Sequence, residues 1–302
     1  MVDMSVSLCG VCMPIPITNA SGTFENGRPY SDFVDVSNIG AVTIKGCASE
    51  PWEGNPTPRM AEIEGGMLNC IGLQNDGVKH FIENDYVWLK EHNARIIANV
   101  VGHSLQEYVD CINAFEQVDI DIYEVNISCP NVGAGGLSFA SDAHLAEQAV
   151  SELRKLTKKP LFFKLTPNVT NIAEIACACK SSGADGFTLI NSVQGMAIDA
   201  HTKRPKLSNI VGGMSGPCLK PIALRCVYQC YQATKLPIIG LGGIRSGVDA
   251  AEFMLAGASI LGVGFSNFLD PNSIPRIAKE LEDFCESEGV SKVSDLTGAL
   301  IC

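Results

Sequence analysis

A (β/α)8 barrel, the TIM-barrel architecture, is the fold that this sequence predicts, and three observations predict it. Short β-branched or apolar runs recur along the 302 residues. Segments of helix-like periodicity lie between most of them, an alternation that implies parallel strands joined by right-handed crossovers. Nearly every run ends in a polar residue or a glycine, and barrel sites gather at the carboxyl ends of strands.

The candidate strands are Ile15–Asn19, Ala41–Lys45, Ile96–Val100, Ile122–Asn126, Leu161–Leu165, Gly186–Asn191, Pro237–Gly240 and Ile260–Val263. Helical periodicity covers Leu105–Phe115, Ala143–Thr157, Ile172–Ser181, Pro221–Ala233 and Val248–Ala256. Eight strands fit a barrel of about 250 residues. The surplus falls in an N-terminal hairpin and in the Gly-, Pro- and Asn-rich stretch Gly46–Val78. With no Pro/Ser-rich linker or charge block to divide it, the chain reads as one domain over residues 1–302 with elaborated loops.

Composition narrows the partners. The chain is 46% hydrophobic and 18% charged, enough for one large core. A net charge of −11 argues against nucleic acid, whose phosphates need a basic surface. No basic n-region with a long apolar run opens the chain, and no apolar stretch is long enough to span a bilayer. Thirteen cysteines, an odd number spread along a long chain, fit reduced thiols in a cytoplasm better than a disulfide framework.

The strand ends carry the chemistry: Asn19 with Ser21, Lys45, Asn99, Asn126, Lys164, Asn191, then Gly242-Gly243 and Gly264. Any one of these alone is ordinarily a turn residue or a solvated charge. Seven or eight at the same relative position outline a polar rim for a large flat ligand. The two glycine turns after the last strands match the barrel's usual phosphate site, where backbone N–H groups approach an anion closely. A heterocycle with a phosphate tail fits both halves, and flavin mononucleotide (FMN) is the natural candidate. The segment Asn126-Ile127-Ser128-Cys129-Pro130-Asn131 adds an amide, a hydroxyl and a thiol at a strand end, with Pro130 barring helical continuation.

Cys9-Gly10-Val11-Cys12 has metal-ligand spacing but no second pair, so it reads as part of the hairpin, and no metal site is expected. Cys177 with Cys179, and Cys226 with Cys230, lie in helical patterns and read as core packing.

Taken together, several motifs resemble the dihydroorotate dehydrogenase family over almost the whole chain. They are Asn19-Ala-Ser-Gly22, Thr43-Ile-Lys-Gly46, Gly54-Asn-Pro-Thr-Pro-Arg59, Leu68-Asn-Cys-Ile-Gly-Leu-Gln-Asn75, Asn126-Ile-Ser-Cys-Pro-Asn131 and Lys164-Leu-Thr-Pro-Asn168, followed by Ile190-Asn-Ser192, Gly212-Gly-Met-Ser-Gly-Pro217, Gly240-Leu-Gly-Gly243 and Val263-Gly264. The runs Ala197–Pro205 and Ser215–Pro221, with Asn131–Gly136, look like the NAD-linked, two-subunit class (class 1B), catalytic subunit. Phe265-Ser266 departs from the family's small Thr-Ala pair.

That resemblance implies FMN-dependent oxidation of dihydroorotate to orotate, with Cys129 as the base. It implies substrate contacts from Lys45, Asn69, Cys70, Ile71, Gly72, Leu73, Asn126, Asn191 and Ser192. The flavin contacts it implies are Ala20, Ser21, Lys45, Gly46, Asn99, Asn126, Lys164, Ile190, Gly216, Gly242, Gly243, Gly264 and Phe265. It also implies a partner subunit carrying FAD and a [2Fe–2S] cluster that passes electrons to NAD+, a homodimer of this chain at the centre of a heterotetramer, and a loop, Pro130–Phe139, able to close over the site. The alternatives are a fumarate-linked single-subunit enzyme or a dihydropyrimidine-reducing relative. Less close are a non-redox barrel that grips a phosphorylated metabolite, and a binding protein without activity.

Overall fold

The computed structural model describes residues 2–128 and 139–302. Eight parallel strands form its centre: β1 (Ile17–Asn19), β2 (Val42–Thr43), β3 (Ile96–Val100), β4 (Ile122–Asn126), β5 (Leu161–Lys164), β6 (Gly186–Leu189), β7 (Ile238–Leu241) and β8 (Ile260–Val263). Their spatial order is β1-β8-β7-β6-β5-β4-β3-β2, a (β/α)8 barrel as expected. Each adjacency along that order is a parallel backbone ladder.

The seam between β1 and β2 is joined differently. The buried Asn19 side chain accepts from Thr43 N at 2.9 Å and donates to Thr43 O at 2.6 Å. One amide thus substitutes for a peptide unit of the neighbouring strand. The Thr18 hydroxyl donates to Ala41 O at 2.5 Å, and Gly40 N donates to Ile17 O at 2.8 Å. Asn19, expected at the cofactor rim, is spent on closing the barrel.

Inside the barrel the side chains change character with height. Ala41, Ile97, Ile122, Phe162, Ile239 and Ile260 form an apolar floor, and Leu8 and Met13 of the N-terminal hairpin plug it from below. That hairpin, Val6–Leu8 with Val11–Met13, turns through Cys9 and Gly10, both with positive φ (49° and 90°), as a two-residue turn of the I′ kind requires. Cys9 and Cys12 are therefore hairpin residues, and no group of three metal-ligating side chains occurs among the described residues.

Outside, Leu105–Phe115 and Ile172–Ser181 form as expected, while Ala143–Arg154, Lys220–Thr234 and Gly247–Ala256 shift at their ends by up to a few residues. Local capping explains the starts. Asp142 accepts from the N–H groups of His144 and Leu145, and Ser246 with Asp249 makes a capping box. Helices Gly77–Glu83, Asp85–Glu91 and Ser273–Ser287 lie outside the sequence expectation. So does a four-stranded antiparallel sheet, in the order Val193–Met196, Val211–Ser215, Gly66–Asn69, Met60–Ile63. Half of it falls in the stretch read as loop, because its strands are short, glycine-rich and half-exposed. Among the described residues no helix is long and apolar enough to cross a membrane.

Two predictions arise from this framework. Asn19→Ala removes the two Asn19 bonds across the seam and leaves the Thr43 amide buried without a partner; a loss of about 1–3 kcal/mol is expected for that group. An unchanged midpoint in urea unfolding would refute it. The second concerns helices Ile172–Ser181 and Lys220–Thr234. Cys179, Cys226 and Cys230 are buried in the core as expected, whereas Cys177 is exposed. Burial pushes the Cys179 thiol up to about 12 and raises those of Cys230 and Cys226. Above the unfolded thiol's pKa, roughly 8.5, the unfolded chain holds fewer protons than the native one. The stability contributed by these thiols is then full below that pH and is lost as pH rises towards 12. Native protein at pH 8 should keep Cys179 and Cys230 unlabelled by a thiol reagent, and its thermal midpoint should fall from pH 8.5 to 10.5. Rapid labelling of both sites, or a flat midpoint, would contradict the burial argument.

Candidate functional site

Above the apolar floor the inward positions turn polar. Strand register sets Asn99 on β3 opposite Glu124 on β4, and Asn126 opposite Lys164 on β5. Side chains two residues apart share a face, so Ile122, Glu124 and Asn126 climb one wall from floor to rim. A cavity of about 730 Å³ opens at this end of the barrel. Apart from Asn19, every described residue among the expected site residues lines it, from Ala20 and Ser21 after β1 to Gly264 and Phe265 after β8. Cys129 and the loop Pro130–Phe139, apart from Phe139 itself, lie outside the described residues.

One end of the cavity is a glycine cradle. Gly216, Gly242 and Gly243 have φ of 122°, 129° and 93°, which L side chains rarely adopt. A Cβ at Gly243 would come within 3.0 Å of both Gly216 O and Lys220 N, and one at Gly242 within 2.7 Å of the Ala223 methyl. Three backbone segments therefore converge too tightly for any side chain, and these glycines line the cavity, where main-chain donors could hold an anion. The turn beyond is braced by Asp249, which accepts from Arg245 N at 2.9 Å and Ser246 N at 3.0 Å and pairs with Lys220 at 2.6 Å. Burial opposes the Asp249 charge, but its bonds from Lys220, Arg245 and Ser246 outweigh that and hold its pKa low. The bonds from Lys220 to Asp249 and Glu252 hold the lysine's pKa up. Where the sequence departs from the family at Phe265-Ser266, the Ser266 hydroxyl is buried and donates to Ile244 O at 2.7 Å, so it ties the two loops together.

The other end is a ring of amides whose orientation the network dictates. Asn191 Nδ2 donates to Ser128 Oγ at 2.6 Å, and Ser128 Oγ donates to Asn126 Oδ1 at 2.7 Å. With Oδ1 taken, the end of Asn126 left for a ligand is its donor, Nδ2. Asn69 Nδ2 donates to Gly213 O at 3.3 Å, leaving Oδ1 as its acceptor. Asn191 Oδ1 accepts from Ser192 N at 2.8 Å. Asn99 Nδ2 donates to Glu124 Oε1, and Asn99 Oδ1 is buried without a partner among the described residues. That oxygen lies beneath Gly46, where a Cβ would approach it to 3.1 Å. An orphaned acceptor on a cavity wall is what a ligand N–H would satisfy.

Some expected residues serve other partners as well. Ser21 Oγ donates to Ile44 O at 2.7 Å. Cys70 is 2% exposed, and its thiol faces Pro58 O and the Ser208 hydroxyl, so only its backbone is available to the cavity. The half-buried Lys45 pairs with the exposed Glu25 at 3.6 Å, a contact of little strength. Lys164 pairs with Glu124 at 3.7 Å, and those side chains are 7% and 2% exposed. Reading only strand ends misses Glu124, which stands behind Asn99 and Lys164. The signal that finds Glu124 is parity: it stands two residues before Asn126 and so faces the same way.

The arrangement can hold a flat heterocycle against amides and a lysine, with a phosphate in the glycine cradle. The dihydroorotate dehydrogenase family model matches residues 3–285. The chain is 47% identical over 299 residues to "Dihydroorotate dehydrogenase B (NAD(+)), catalytic subunit" of Alkaliphilus metalliredigens (strain QYMF), covering 99% of each protein. It is 45% identical to the protein of that name from Lachnoclostridium phytofermentans (strain ATCC 700394 / DSM 18823 / ISDg), over 99% of this chain and 100% of the relative. For Citrifermentans bemidjiense (strain ATCC BAA-1014 / DSM 16622 / JCM 12645 / Bem) the figures are 48%, 99% and 98%.

Removing one partner of a buried ion pair leaves the other charge uncompensated. Lys164→Met should therefore cost about 3–5 kcal/mol of stability, and Glu124→Gln added to it should return most of that loss. Chemical denaturation of the two variants measures both, and equal stabilities for Lys164→Met and wild type would show the pair to be unimportant.

Proposed function

The chain belongs to the dihydroorotate dehydrogenase family, and from that premise we propose that it is the catalytic subunit of the NAD-linked, two-subunit class. It oxidises (S)-dihydroorotate to orotate in pyrimidine biosynthesis, with FMN in the barrel cavity. The observation that carries this reading is the convergence of all the described site residues on one cavity, where amide donors, amide acceptors and a glycine cradle are set out separately.

The glycines Gly216, Gly242, Gly243 and Gly264, with Phe265, would hold the phosphate of FMN through their main chain. Ala20, Ser21, Gly46 and Ile190 bound the ring, and Asn99 and Lys164 meet its polar edge. When bound, FMN would supply the acceptor for the hydride that leaves substrate carbon 6. Cys129 takes the proton from carbon 5, and the electron pair of that C–H bond becomes the new carbon–carbon double bond. A base near its operating pH contributes about 10²–10⁴-fold in rate, and a thiol of ordinary pKa, roughly 8.5, is within reach of that role. Asn69, Asn126, Asn191 and Ser192, with the backbone of Cys70 to Leu73, clamp the substrate. They present donors and acceptors to its amide-like edges without adding charge. Lys45 stands between the two ligands. Electrons leave through a partner subunit with FAD and a [2Fe–2S] cluster to NAD+, around a homodimer of this chain. A cytoplasmic setting suits the described cysteines, all of them free thiols.

Anaerobic stopped flow tests the assignment. The purified chain should show flavin absorption that bleaches on mixing with dihydroorotate. Cys129→Ala should keep its flavin and bleach at least about 10²-fold more slowly. Near-normal bleaching in that variant would remove Cys129 from the role, and a colourless wild-type chain unable to take up FMN would remove the function.

A further inference from the structure

Glu124 is a carboxylate in the barrel interior that the proposed chemistry does not use. Its side chain is 2% exposed, accepts from Asn99 Nδ2, and lies 3.7 Å from Lys164 Nζ. A charge buried so deeply is costly unless the geometry repays it. A pair of apolar groups would fill the same space at lower cost, so packing alone does not account for the two charges. Both partners of Glu124 line the cavity, whereas Glu124 itself stands behind them.

We propose that Glu124 is a positioning residue that sets the redox potential of the bound flavin, acting through Lys164 and Asn99. The inference rests on the reading that FMN occupies the cavity with its polar edge against these two side chains. Its first effect is on charge. A fixed ammonium beside the ring favours the reduced, electron-rich cofactor over the oxidised one and raises the potential. The carboxylate at 3.7 Å opposes that field, so the pair meets the ring as a dipole instead of a net positive charge. Electrons must leave again for a low-potential acceptor, and a flavin made too oxidising would retain them. Its second effect is on orientation. An ionised carboxylate only accepts, so it holds the Asn99 amide with Nδ2 inward and turns the partnerless Oδ1 to the cavity wall. Lys164 then offers a donor and Asn99 an acceptor, a fixed polarity for the edge of a heterocycle.

The test is the midpoint potential of FMN bound to the full chain, measured beside thermal stability. Glu124→Gln keeps the shape of the side chain and an acceptor for Asn99 but removes the charge. Its ratio of reduced-to-oxidised flavin affinity should rise at least about tenfold, a shift of about +30 mV for a two-electron couple. An unchanged or lowered potential overturns the proposal. A residue of merely structural importance would lower the thermal midpoint and the flavin content while leaving the potential of the flavin still bound unmoved. Should that variant fail to fold, Glu124→Gln/Lys164→Met decides. Removing both charges should leave the affinity ratio within about tenfold of wild type, or about 30 mV. A fall of more than about a hundredfold would mean that Lys164 acts unopposed and Glu124 sets nothing. Wild-type protein that binds no FMN rejects the underlying functional reading instead, and is distinguished from either result.

Discussion

In a strand, successive side chains point to opposite faces, and a closed barrel turns one of those faces wholly inward. The rest of this molecule depends on that constraint. Each strand can send only two or three side chains to the interior, and their height is set by register. The lower positions are apolar and are sealed by Leu8 and Met13 of the hairpin. The upper ones carry Asn99, Glu124, Asn126 and Lys164. Closure is itself conditional, because one seam is held largely by side chains, with Asn19 standing in for the backbone of a neighbour.

A polar shell inside a dry barrel must be satisfied internally or by a ligand. Here both occur. Ser128 takes the bond from Asn191 and occupies the acceptor of Asn126; Glu124 takes the donor of Asn99 and balances Lys164. What is left over points to the cavity in a definite pattern of donors and acceptors. An asparagine can present either end. The buried neighbours that consume one end therefore confer the specificity that a list of lining residues does not show.

The barrel was legible in the sequence because its strands are buried on both faces and read as short continuous apolar runs, separated by helices with their own period. The rim was legible because a polar residue ending such a run is conspicuous. The antiparallel sheet of Met60–Ile63, Gly66–Asn69, Val193–Met196 and Val211–Ser215 was not. Its glycines at 66 and 212 look like loop residues, yet they are needed because the adjacent strand passes too close for a side chain: a Cβ would run into Ser215 O at Gly66 and into Asn69 O at Gly212. Asn19 shows the opposite error. It has the residue type and position of a rim residue, and it holds the seam instead.

The sequence by itself determined the alternation of strands and helices, the floor-to-rim order within each strand and the residue types available at the mouth, since all of these are encoded locally by periodicity and turn chemistry. Tertiary structure decided which of those residues face one another, which end of each amide is consumed, and that a carboxylate hidden in Ile122–Asn126 lies 3.7 Å from the lysine that ends Leu161–Lys164. That pairing joins positions 40 residues apart, and its distance is fixed by strand register and barrel closure, which no local pattern contains.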